Sequence, residues 1–175
     1  MKKSLIFLVA VVVISIIGYT LTTKWRGNDN RDFVNTKYGY SLQYPAEWNM
    51  RGSAQSEILQ FFNTENPPGD GGIPSGILME VMVLENYDNL SLDDWVEQMN
   101  TYGPQDQIAN KDQITAGGER AIRQTNIPRF DEEGPPIGVY FARGNNIFVM
   151  QYLGSNPDYS ENFKYFENAL RSFSF

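Results

Sequence analysis

The stretch Ile137-Gly-Val-Tyr-Phe-Ala-Arg-Gly-Asn-Asn-Ile-Phe-Val-Met-Gln-Tyr152 constrains this chain more than any other. Its two arms are β-branched and aromatic and flank Gly144-Asn145-Asn146, the composition of a tight hairpin turn. Alternation places Ile137, Val139 and Phe141 on one face with Phe148, Met150 and Tyr152. This holds whether the turn is Gly144-Asn145 or Asn145-Asn146, because a two-residue slip preserves sidedness. The other face carries Gly138, Tyr140, Ala142, Ile147 and Val149, which is also largely apolar. A hairpin apolar on both faces belongs in the middle of a sheet covered on both sides.

The chain has 175 residues, enough for a short terminal element and one domain of the commonest size. An aromatic content of 14% supplies a core and excludes a wholly disordered chain. There is no cysteine, so disulfides, thiolate metal sites and cysteine nucleophiles are excluded, and no histidine, which removes the usual zinc ligand and general base. From Asp32 onward 9 Lys+Arg face 20 Asp+Glu, a net charge of −11. A surface of that sign repels phosphate, so nucleic-acid binding is not expected.

Lys2-Lys3 precedes an uncharged, mostly apolar run from Leu5 to Thr23. As a helix, Leu5 to Leu21 would span about 26 Å, close to the ~30 Å hydrocarbon core of a bilayer. No A-x-A cleavage site follows, so the run reads as an uncleaved transmembrane anchor in preference to a cleaved signal peptide. The expected organisation is an anchor over 1–26, a linker over 27–32 and a domain over 33–175. The domain is expected on the extracytoplasmic side of the cell membrane.

Within the domain, Phe33–Thr36, Tyr40–Tyr44, Glu57–Asn63 and Gly76–Glu85 read as strands, with Pro45 ending the second. Ser91 followed by Asp94 is a shortened capping box, and Leu92, Trp95, Val96, Met99 and Tyr102 form a helical stripe stopped by Gly103-Pro104. That stripe is expected to dock on the sheet. Asp93 and Asp94, in the first turn, favour the helix dipole and need no ligand. Gln113–Ala116 and Glu119–Asn126 form a weaker hairpin near a sheet edge. Asn156-Pro157-Asp158 opens a second helix with Tyr159, Phe163, Phe166 and Leu170 inward, and Phe173 and Phe175 end the chain as a packed tail.

Two Pro/Gly-rich loops stand out, over 64–75 and 128–136. The second holds Arg129, Asp131, Glu132 and Glu133, the candidate binding residues. The three acids could offer oxygens to calcium, but the EF-hand spacing is missing and a solvated charge run is the plainer reading. No catalytic residues and no resident metal or cofactor are expected. Gly69-Asp70-Gly71-Gly72 lacks the lysine of a phosphate loop.

Tyr38-Gly39-Tyr40-Ser-Leu-Gln-Tyr44-Pro45-Ala46-Glu47-Trp48 and the stretch from Tyr140 to the Ser172-Phe173-Ser174-Phe175 ending resemble the PsbP family of photosystem II extrinsic proteins and its bacterial relatives. The resemblance implies an α+β fold, an α/β/α sandwich with a central antiparallel sheet, here preceded by one N-terminal transmembrane helix. By exclusion, with no histidine, cysteine, phosphate loop or nucleophile motif and with two Pro/Gly-rich loops on a rigid scaffold, the chain is expected to be a non-catalytic, membrane-tethered binding or assembly module of this PsbP-like type with a protein partner. Two alternatives stand beside that reading. One is a photosystem II oxygen-evolving-complex or assembly factor with calcium. The other is a carboxylate-dependent hydrolase, since 20 acids permit many carboxylate pairs.

Overall fold

A computed structural model describes residues 30–64, 76–102, 108–128, 134–155 and 158–175. In chain order the elements are β1 (Asn30–Asn35), β2 (Tyr40–Pro45), β3 (Asn49–Arg51), β4 (Ile58–Phe62) and β5 (Ile77–Glu85). They continue with helix α1 (Leu92–Tyr102), β6 (Ile108–Ala116), β7 (Glu119–Asn126), β8 (Ile137–Arg143), β9 (Asn146–Gly154) and helix α2 (Asp158–Ser172). Among the described residues no helix is long and apolar enough to cross a membrane, and the proposed anchor over 5–23 lies outside them. The first strand begins at Asn30, three residues before the expected domain start, so Asn30 to Asp32 are paired backbone and not linker.

Seven strands form one antiparallel sheet in the order β3-β4-β5-β9-β8-β7-β6. The hairpin that dominates the sequence is β8–β9, with β9 in the middle of the sheet. Arg143 pairs with Asn146, so the turn is Gly144-Asn145, and Gly144 sits at φ 57°. A left-handed first turn residue followed by an ordinary one is the pattern of a type II′ turn, whose twist matches that of the strands it joins.

Both faces of this hairpin are buried, as the alternation predicts. On one face Val139, Phe141, Phe148, Met150 and Tyr152 pack with Phe166 and Leu170 of α2 and with Tyr40, Leu42 and Tyr44 of the separate β1–β2 hairpin. On the other, Ile122, Ile147 and Val149 pack with Leu92, Trp95 and Val96 of α1. The two helices therefore lie on opposite faces, and β1–β2 shares the α2 side. Phe173 completes the larger core, stacked on Tyr40 and Phe141, and the tail is pinned by reciprocal Ser41–Ser174 backbone bonds.

The caps form as the residue types dictate. Ser91 Oγ accepts the Asp94 amide at 3.2 Å and donates to its carboxylate, and Asp93 adds an ion pair to Arg120 at 2.6 Å. The α1 stripe docks only through its first half. Met99 is 43% exposed, because the strand surface near it is polar and Lys111 of β6 reaches up to Glu97. The side chain of Tyr102 and the capping residues Asn156 and Pro157 fall outside the described residues.

Candidate functional site

Register places the outset of β5, β6 and β8 beside the finish of β4, β7 and β9. Phe62 pairs with Leu78, Ile77 with Gly154, Ile137 with Tyr152 and Ile108 with Asn126. Consequently the segments 65–75, 103–107, 129–133 and 156–157 all join elements whose described ends lie at one end of the sheet. The candidate residues Arg129, Asp131, Glu132 and Glu133 belong to these segments and lie outside the described residues. What the structure places is their roots.

Those roots are tied together. Asn63 accepts the Ile77 amide on its side chain at 2.8 Å, and Ser155 N–H donates to the Gly76 carbonyl at 3.3 Å. Gly134 N–H donates to the Gly154 carbonyl at 3.0 Å, and Asn126 N–H to that of Pro136 at 2.8 Å. The Tyr159 hydroxyl donates to the Pro135 carbonyl at 2.6 Å, and the Tyr152 hydroxyl to that of Tyr159 at 2.7 Å. Gly134 lies against the Tyr159 ring so closely that an added Cβ would stand 2.0 Å from it, so only glycine fits there. Burial pushes the Tyr159 phenol up to about 12 and raises that of Tyr152 further, so both are neutral donors at ordinary pH. The residue pattern disclosed Tyr159 as a core position but not as the clamp on the acidic loop.

A second feature lies at the opposite end of the sheet. There a cleft of about 340 Å³ opens between the last turns of α2 and the β6–β7 hairpin, with the Arg123–Glu167 ion pair (2.8 Å) in its wall. Among the described residues no three acidic groups converge as a metal site would require.

No protein-family model matches this sequence, and no curated protein does. Solved structures do match. The cyanobacterial PsbP (CyanoP) of Synechocystis sp. PCC 6803 superposes with a TM-score of 0.56 at 13% identity, over 83% of this chain and 91% of that one. The Saccharomyces cerevisiae Ran-binding protein Mog1p gives 0.51 at 9% identity over 83% and 95%. A Pseudomonas aeruginosa protein described as of unknown function and a putative regulator, PA94, gives 0.50 at 10% over 83% and 96%. The fold is therefore the PsbP-like fold, an α+β sandwich shared with Mog1p; at these identities the likeness defines architecture and not activity.

Proposed function

We propose that this chain is a non-catalytic binding or assembly module, tethered to the extracytoplasmic face of the cell membrane by residues 5–23, whose contact surface for a protein partner is the loop end of the sheet. One observation carries the reading. The described ends that flank four connecting segments lie at the same end of the sheet, and those flanking three of them are tied by the Gly76, Gly134 and Gly154–Ser155 bonds. Loops on a stiff scaffold are the common way to build a recognition surface. Arg129, Asp131, Glu132 and Glu133 are the side chains proposed to make the contact. That Mog1p, a Ran-binding protein, shares the fold supports a protein-binding role.

The test is crosslinking from native membranes with the wild-type chain and with a variant carrying Ser at 131, 132 and 133. The variant is expected to melt like the wild type and to lose the principal crosslinked partner. Identical partners in both, together with tolerance of a shortened 65–75, would move recognition away from this end. The intact mass of the chain in the same membranes checks the tether, which requires that residues 1–23 be retained. A second reading, consistent with the fold shared with the Synechocystis PsbP, is a photosystem II oxygen-evolving-complex or assembly factor that binds calcium. Copurification of photosystem II with the wild type alone would select it.

A further inference from the structure

We infer that the cleft between α2 and the β6–β7 hairpin is a binding site for a small organic carboxylate. It is separate from the loop end and does not depend on the proposal made for that end. Its volume, about 340 Å³, is at the lower end of those that hold small ligands. Its apolar wall is Ile114 and Ala116 of β6 and Leu170 of α2, the last two buried. Its polar wall is cationic in balance, since Arg123 and Arg171 line it against the single acid Glu167. In a domain with 9 basic and 20 acidic side chains, two guanidinium groups on one cleft are a concentration of the scarcer sign.

Both guanidinium groups have donors to spare. The Arg123 side chain is 23% exposed, lies 5.5 Å from the Phe163 ring centroid and spends one nitrogen on Glu167, leaving most of its five N–H groups unused among the described residues. Arg171 reaches only Asn168 Oδ1, at 3.2 Å, and has no carboxylate partner among the described residues. The turn contributes as well. Gly117 and Gly118, at φ 58° and 83°, form a two-glycine turn whose N–H groups meet no acceptor among the described residues. Two other acids on this side of the sheet, Asp112 and Glu119, are not in the lining, and Asp112 is engaged by Asn110.

A guanidinium edge takes a planar carboxylate bidentately, and the apolar wall of Ile114 and Leu170, which an apolar body would cover, selects an organic carboxylate over inorganic phosphate. The recognised chemistry is therefore an anionic head on a short apolar body.

Amide NMR on the full-length chain, titrated with sodium benzoate at constant ionic strength, tests this, with benzamide and inorganic phosphate as comparison arms. Expected are saturable shifts at Gly117, Gly118 and Arg171 with benzoate and none that saturate with the other two. In Arg171→Gln, an exposed helix-end change, benzoate should bind about tenfold more weakly, the worth of one charge-assisted hydrogen bond. Equal response to benzamide, saturation by phosphate, or unchanged affinity in Arg171→Gln would each overturn the assignment.

Discussion

Val149 shows how much a single position reports. It is 2% exposed on the α1 face of the central strand, between Met82 of β5 and Tyr140 of β8 in the lateral register. Aspartate there would bury a charge with no cation in the surrounding cluster of Leu92, Trp95, Val96, Ile122 and Ile147. The cost of such a group is several kcal/mol, a large part of a domain's whole stability. Val149→Asp is expected to leave no cooperative thermal transition, followed by circular dichroism; melting within a few degrees of wild type would contradict two-sided burial. Gly117 makes the opposite point about legibility. Its place in a Gly-Gly turn is readable, but an added Cβ would stand 1.6 Å from the Phe173 carbonyl oxygen, and that approach from the far end of the chain leaves no local signal.

At the scale of elements, local rules are obeyed where local energies dominate. The α1 N-terminus forms at Ser91 because its hydroxyl satisfies an amide that the helix itself cannot. Ser91→Ala should cost about 1 kcal/mol, seen as a fall of a few degrees in Tm with the native spectrum intact. No change in Tm would mean that docking of Leu92 and Trp95 alone sets where the helix begins. Two elements escape such rules. The strand β3 is three exposed residues recruited by pairing with β4, and Asn110–Gln113 of β6 are polar and exposed, held by their ladder to β7. Neither has an apolar period to betray it.

For the whole molecule, the buried phenols tie stability to pH. Burial pushes Tyr40 and Tyr159 up to about 12 and raises Tyr152 beyond them, against about 10 in an unfolded chain. Below about pH 10 both states keep these protons and stability is unaffected by them. Above it the unfolded chain releases protons that the folded chain holds, so stability falls as pH rises through the folded values. Alkaline titration followed by tyrosinate absorbance and circular dichroism should show ionisation of these tyrosines coinciding with unfolding between about pH 10 and 12. Their ionisation near 10 with the fold intact would sink the idea.

The PsbP-like architecture was legible in the sequence to the extent that it rests on short-range pattern. Alternation in Ile137–Tyr152 sets two buried faces, the Ser91 cap and aromatic spacing set two helices, and the resemblance around Tyr38–Trp48 and the tail set their arrangement. The first two depend on side-chain period and residue type, which neighbours in the chain specify; the arrangement is what the family resemblance implies. Strand order was decided only in three dimensions, since β9 pairs with β5 across the whole α1–β8 excursion. The same long-range register brings the described ends that flank 65–75 and 129–133 to one end of the sheet, and packing of α2 on that sheet sets Arg123 of β7 beside Glu167 in the wall of the cleft. Such juxtapositions arise from pairing between residues far apart in the chain, and nothing in the local sequence of either partner encodes the other.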